Sequence, residues 1–269
     1  MKMTRIFAAA IAALGFAGTA VAVEGDQHAP HQHHWHHDGP FGTYDTSAVQ
    51  RGYQIYQEVC ASCHSMDLMR FRNLAQQGGP FASDMYPNPN DNPIVMQIAA
   101  SYTRVWNQDE VNDDGDPVER AGLPSDAFPA PFANQQMARA SNGGAYPPDL
   151  SLIVKARTGG ENYLYSLLTG YEDAPEDSHL AAGQYYNPYF AGGAIAMAPP
   201  LAEGIIEYAD GTEATVEQMA EDVTTFLSWA GDPHMETRKQ MGAMVLIFLL
   251  IFAILVYLAY RQVWANVKH

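Results

Sequence analysis

A mainly helical domain with long loops, tethered by one C-terminal membrane helix, is the architecture this sequence predicts. Three observations carry that prediction. Met241 to Tyr260 is a run of twenty residues without a charge, long enough as a helix to match a bilayer core of about 30 Å. Thr215 to Trp229 is amphipathic at helical spacing, with Val216, Met219, Val223, Phe226 and Leu227 on one stripe. Nowhere does an alternating strand pattern persist, and from Gly78 to Pro148 the chain is broken by Pro, Gly and Asn. At 47% hydrophobic and 16% charged, the 269 residues are too apolar for a disordered acidic polymer. They suffice for one sizeable domain with appendages. The formal charge of -16, from 14 Lys+Arg against 30 Asp+Glu, repels nucleic acid and favours basic protein partners. Two Cys exclude a disulfide scaffold.

Residues 1-22 read as a secretory signal: Lys2 and Arg5, then an apolar, small-residue run, then Ala20-Val21-Ala22 as an A-x-A cleavage site. Its removal leaves 12 basic against 30 acidic residues, or -18. Residues 23-44 read as a flexible leader containing His28, His31, His33, His34, His36 and His37, six of the ten His in the chain. Such a tract can bind Zn or Cu, although no Cys or regularly spaced carboxylate accompanies it. Residues 45-236 form the exported domain. Its first helix is expected from Asp45 to His64, started by a Ser47/Gln50 capping box. A short helix is expected over Pro93 to Trp106, and Asp149 to Leu168 can hold another, with Leu150, Ile153 and Val154 on one face. The Thr215 helix has a Thr215/Gln218 capping box and stops at Gly231-Asp232-Pro233. Residues 241-260 are the membrane anchor, with Tyr257, Tyr260 and Trp264 as an interfacial belt, and 261-269 a short cytoplasmic tail. The export signal orients the span, because Arg238 and Lys239 balance Arg261 and Lys268.

Cys60-Ala61-Ser62-Cys63-His64 is C-x-x-C-H, the attachment signature of c-type haem. Each thiol adds to a vinyl group, and the adjacent imidazole is then held against the iron. A thioredoxin-like C-x-x-C would follow a strand in a βαβ unit, and a Zn site would need two further ligands nearby; neither pattern is present. A second axial ligand must come from the far side of the porphyrin. Met66 and Met69 are too close to His64 to wrap around the ring, and Met241 and Met244 lie in the span. Met197 sits in the small-residue, Pro-flanked run Gly192 to Pro200, which permits close approach; Met85, Met96 and Met137 are alternatives. His/Met ligation leaves no open coordination position and raises the reduction potential, so the expected chemistry is electron transfer.

At this point the chain resembles the cytochrome c1 family, the membrane-anchored haem subunits of the cytochrome bc1 complex (ubiquinol–cytochrome c reductase). The resemblance rests on Cys60 to Met66 (CASCHSM), Ala140 to Leu152 (ASNGGAYPPDLSL), Ala156 to Tyr171 (ARTGGENYLYSLLTGY), Tyr185 to Leu201 (YYNPYFAGGAIAMAPPL) and the Trp229 to Arg238 approach to the anchor. It implies a class I cytochrome c-like haem domain with one covalently attached haem c. It also implies Cys60 and Cys63 as attachment points, His64 and Met197 as the iron ligands, Arg157 as a partner of a haem propionate, and Asn142, Pro148 and Tyr163 along the ring. Some bacterial relatives carry an additional Cys pair near the Met ligand; this chain has none.

By the same resemblance, one electron passes from a Rieske iron–sulfur protein to a soluble or membrane-tethered cytochrome c. The subunit sits beside cytochrome b in a dimeric complex, single-pass in the bacterial inner membrane, with its haem domain on the periplasmic side. The acidic runs Asp109 to Glu119 and Glu172, Asp173, Glu176 and Asp177 are candidate docking patches for a basic acceptor. Two rivals remain. One is an anchored monohaem cytochrome of a different membrane oxidoreductase; the other is a periplasmic metal-binding protein working through its His-rich leader.

Overall fold

The computed structural model describes residues 27–106, 110–176 and 178–266. The expected signal segment, the first residues of the leader, Asp109, Asp177 and the last three residues of the tail lie outside the described residues. Among the described residues the helices are α1 (Thr46–Glu58), α2 (Pro93–Ala100), α3 (Gln135–Ser141), α4 (Gly160–Thr169), α5 (Val216–Gly231) and α6 (Met235–Trp264). Three 3-10 turns, at Cys60–Ser62, Phe71–Ala75 and Pro89–Asp91, and two short antiparallel ribbons accompany them. Strand β1 (Thr103–Val105) pairs with β2 (Glu119–Ala121), and β3 (Tyr185–Tyr186) pairs with β4 (Ala194–Ile195). At two or three residues, these strands are too short to leave an alternating pattern.

The core is built where α1 crosses α5. On α1, Val49, Tyr53, Ile55 and Tyr56 are buried; on α5, Met219, Val223, Phe226, Leu227 and Trp229 are buried. The crossing point is Gly52, where a Cβ would stand 2.1 Å from the Asp222 carbonyl oxygen and 2.6 Å from Phe226 Cβ. Only hydrogen fits there. Beside it, Arg51 donates from Nε and Nη2 to the two carboxylate oxygens of fully buried Asp222, each at 2.8 Å, and from Nη1 to Asp210 at 3.0 Å. This fork satisfies a charge that would otherwise be costly to bury. Trp229 Nε1 donates to the Gly78 carbonyl at 2.8 Å, pinning the long loop after α1 to the core.

Helix boundaries depart from the sequence reading for local reasons. Asp45, not Ser47, caps α1: its carboxylate accepts from the Ser47 N–H at 2.9 Å, where an anion also meets the positive end of the helix. The helix stops at Glu58, and Cys60–Ser62 is a separate 3-10 turn. The Asn92 side chain caps α2, accepting from Ile94 N at 3.0 Å and Val95 N at 3.3 Å. That helix ends at Ala100, because 103–105 pair with 119–121 instead. Residues 151–158 form turns, not helix, and α4 begins only at Gly160. Gly159 and Gly160 have φ of 86° and 50°, a left-handed break that stops helix from propagating through them. Leu150, Ile153 and Val154 are buried as expected, but from turns. Thr215 does cap α5, its hydroxyl accepting from Gln218 N at 3.1 Å.

The described part of the His-rich leader, expected as a linker, is packed against α4, α5 and the base of α6. Trp35 is 4% exposed and its indole donates to Asn162 Oδ1 at 2.9 Å. The His31 N–H donates to Ser166 Oγ at 2.8 Å, and the His33 ring stacks on Tyr165 at 4.9 Å. His37 is buried, with Nε2 3.2 Å from Ser228 Oγ and 3.5 Å from Glu161 Oε1. Imidazoles here act as flat, half-apolar packing groups, which composition alone reads as polar linker. Glu161 is held down to about 2: burial opposes its charge, but bonds from His37 and Ser228 outweigh burial.

Helix α6 runs for 30 residues, about 45 Å at 1.5 Å per residue. It is longer than the expected 241–260 at both ends. Its most apolar window has a mean hydropathy of 2.9 and no buried residue. A core helix of a soluble domain would be covered; this one is long and apolar enough to cross a membrane and is exposed from Gln240 onward.

Candidate cofactor site

The site starts from the turn that follows α1. Val59 N donates to the Ile55 carbonyl, ending the helical ladder, and the Cys63 and His64 N–H groups both donate to the Cys60 carbonyl at 3.1 and 2.9 Å. One turn therefore carries both thiols and the imidazole. Cys60 and Cys63 are free and half-buried. Burial, with the neighbouring Cys63 adding to it, pushes the Cys60 thiol up to about 12.

His64 is oriented by a segment 84 residues away. Its Nδ1 lies 2.8 Å from the Pro148 carbonyl oxygen. A carbonyl only accepts, so Nδ1 carries the proton and the Nε2 lone pair is left for a metal. Burial holds the imidazole below its ordinary pKa, against the opposing pull of the Pro148 bond and the Asp149 charge. Neutral imidazole is the form that ligates.

The residues around Pro148 form a clamp. Leu150 N donates to the Ser65 carbonyl at 2.8 Å. The Asp149 carboxylate accepts from Ser65 Oγ at 2.8 Å, Asp67 N at 2.7 Å and Ser151 N at 2.9 Å. Ser151 Oγ accepts from Leu68 N at 3.1 Å. Sequence reasoning named Pro148 as a ring-side residue and missed Ser65, Asp149 and Ser151. The available signal was the Pro147-Pro148-Asp149 turn, whose Asp can bind backbone N–H groups two residues on.

Met197 lies two residues beyond β4, half-buried against the same hydrophobic cluster that Cys60 and Ala61 border. Its carbonyl accepts from Tyr171 OH at 3.0 Å, a contact the sequence reading did not anticipate. Met66 and Met69 are buried within the core. Met85, Met96 and Met137 are exposed; of the four methionines left open by the sequence, Met197 alone faces the cluster. Arg157 and Tyr163 are brought together. Burial keeps the Tyr163 phenol above its usual pKa, and the positive charge of Arg157 pulls it the other way. Arg157 itself is exposed, donating to the Ala156 carbonyl at 3.1 Å, so it is accessible to an anion. Asn142 is not gathered with the others: it is the C-cap of α3, and its Nδ2 donates to the Ala138 carbonyl at 2.7 Å.

A cavity of about 300 Å³ lies behind the thiol turn, lined by Tyr53, Tyr56, Tyr102, Phe128, Ala61 and Ser62 among others. It touches neither His64 nor Met197, so it is not the space between the two candidate ligands. The donor set itself fits a thioether-linked porphyrin: two thiols on one turn, an imidazole whose Nδ1 is held by a carbonyl, and a thioether against the same apolar wall.

Fold and site together define a class: a loop-rich helical domain presenting a C-x-x-C-H turn, borne on one helix of membrane-spanning type. The family model described as the Cytochrome C1 family matches residues 35–267. The chain belongs to the cytochrome c1 family. It is 45% identical over 248 residues to "Cytochrome c1, heme protein, mitochondrial" of Saccharomyces cerevisiae, covering 92% of this chain and 75% of that protein. It is 44% identical to "Cytochrome c1-2, heme protein, mitochondrial" of Solanum tuberosum, covering 95% and 93%. It is also 45% identical over 272 residues to "Cytochrome b/c1" of Bradyrhizobium diazoefficiens, covering 94% of this chain but 38% of that longer protein.

Proposed function

We propose that this chain is the haem-carrying electron-transfer subunit of a cytochrome bc1 complex. It takes one electron from a Rieske iron–sulfur protein and delivers it to a c-type cytochrome. The observation that supports this most strongly is His64, whose Nδ1 proton is fixed on the Pro148 carbonyl so that the Nε2 lone pair is left to ligate. A bound haem c supplies a reversible one-electron iron couple. The chain's own residues do the rest. Cys60 and Cys63 would hold the haem covalently, and His64 and Met197 would supply ligands to its iron. Arg157, exposed near Tyr163, would neutralise a propionate. Pro148 holds the imidazole plane through its carbonyl, while Asn142, which caps the end of α3, enters as a ring-side residue through the family resemblance alone. The clamp and the Tyr171 bond to the Met197 backbone keep both ligand loops in place as charge changes, which keeps reorganisation small.

No bond is made or broken on this subunit; ubiquinol oxidation belongs to the rest of the complex. The domain lies on the periplasmic side of a bacterial inner membrane, next to cytochrome b in a dimeric assembly. The test is purification of the full chain from its own membranes. Cytochrome b and a Rieske protein should accompany it, and ubiquinol should reduce its haem. Isolation with a different oxidoreductase, or a haem that ubiquinol leaves oxidised, would overturn the proposal in favour of another anchored cytochrome.

A further inference from the structure

We infer that the tip of the loop at residues 38–42, Pro40-Phe41, inserts into the lipid surface, giving the domain a second membrane contact beside its helical anchor. Phe41 is 89% exposed, more than any other large hydrophobic side chain described, including every one on α6. An exposed Phe alone decides nothing; its position does.

The loop is tied to the first turns of α6. Lys239 Nζ donates to the carbonyls of His37 at 2.7 Å and Gly42 at 3.0 Å, and Glu236 Oε1 accepts from the Tyr44 N–H at 2.8 Å. Lys239 stands two residues before Met241, where the uncharged run begins, a rise of about 3 Å along the helix axis. The backbone on either side of Phe41 is thus held within one lysine side chain of the level where the helix turns wholly apolar.

The tip is also rigid. Gly39 has φ of 68°, and a Cβ on Gly42 would stand 2.1 Å from the Asp38 carbonyl oxygen. The chain closes on itself through two positions that only glycine fills. At its other end, Trp35 N donates to Asp38 Oδ2 at 3.1 Å, and Trp35 and His37 are buried under α4 and α5. Phe41 cannot fold back into the core without undoing these bonds. Exposed His36, Asp38 and Thr43 flank it, giving the polar–apolar mixture that suits an interface rather than the hydrocarbon centre. The chemistry selected is phospholipid at the headgroup–acyl boundary. A contact here fixes the tilt of the domain on its anchor, and with it the height of the His64 site above the membrane.

The inference rests on α6 lying in a bilayer, and the test separates the two. Phe41 is replaced by the photo-reactive analogue p-benzoylphenylalanine in the full chain, in the membranes in which the chain is made, and Ile247 of α6 is replaced likewise in a second sample. After irradiation, tryptic peptides are weighed. The expected result is a mass shift of one phospholipid on the peptide carrying position 41, as on that carrying position 247. Adducts only with another polypeptide at position 41 would show a protein contact there and overturn the inference. So would the absence of any adduct at 41 while 247 captures lipid. Loss of lipid adducts at 247 would instead overturn the anchor itself.

Discussion

Replacing Asp149 with Ala tests the clamp on His64 directly. The carboxylate accepts three bonds, from Ser65 Oγ, Asp67 N and Ser151 N, all between 2.7 and 2.9 Å. At about 1 kcal/mol net for each, with a discount because water reaches part of the site, Asp149→Ala should cost about 2 kcal/mol. For a domain of this size that is a fall in unfolding midpoint of about 4–8 °C. Asp149→Asn, which keeps an acceptor but loses the charge, should fall between. The pH dependence has a definite sign. Burial works against the Asp149 charge, but bonds from Ser151, Asp67 and Ser65 outweigh it and hold the carboxyl below the ordinary range. A depressed carboxyl stabilises the fold above its unfolded pKa of about 3.9 and loses that contribution as pH falls through its folded value. The gap between parent and Asp149→Ala should therefore be full at neutral pH and shrink below about pH 4. Thermal unfolding of the detergent-solubilised chain, followed by circular dichroism across pH, measures it. A midpoint unchanged within about 1 °C at neutral pH would refute the reasoning.

Gly52→Ala should force α1 and α5 apart, since its Cβ would lie 2.1 Å from backbone; a loss of about 3 kcal/mol is expected, and wild-type stability would disprove the close crossing. Trp35→Ala should cost about 3–5 kcal/mol, whereas His34→Ala, on an exposed side chain, should be neutral; equal small effects would restore the flexible-leader reading. Met197→Leu should lower the midpoint potential and change the visible spectrum of the holo-protein, and an unchanged potential would remove Met197 as a ligand. Electron transfer to a basic cytochrome should slow as salt rises, because the chain carries -16; rates independent of ionic strength would exclude electrostatic steering.

What could be read from sequence was what local pattern encodes. The α5 stripe with its Thr215 cap and the uncharged run of α6 each depend on neighbours within a few residues, and each stands where expected; the C-x-x-C-H motif is as local, but it stands on a turn beyond α1 and not inside the expected helix. What escaped depends on contacts distant in the chain. Asp149 is an ordinary turn residue until Ser65 and Asp67 arrive beneath it. Trp35 and His37 look like part of a polar leader because their partners, Asn162 and Ser228, are more than a hundred residues away. Helix ends were misplaced where two signals competed: Asp45 against Ser47 at the start of α1, and helix against the Gly159-Gly160 break before α4. The cytochrome c1 resemblance reached further than periodicity could, since it named Arg157 and Tyr163 as parts of one site, and Arg157 is near enough to the phenol to influence its titration.

The most direct measurement is the intact mass of the mature chain, taken with and without Cys60→Ala and Cys63→Ala together. Covalent attachment predicts the polypeptide plus one haem, with the visible spectrum surviving denaturation, and loss of both in the double variant. A mature chain of bare polypeptide mass, with two thiols open to alkylation, would contradict the account at its foundation.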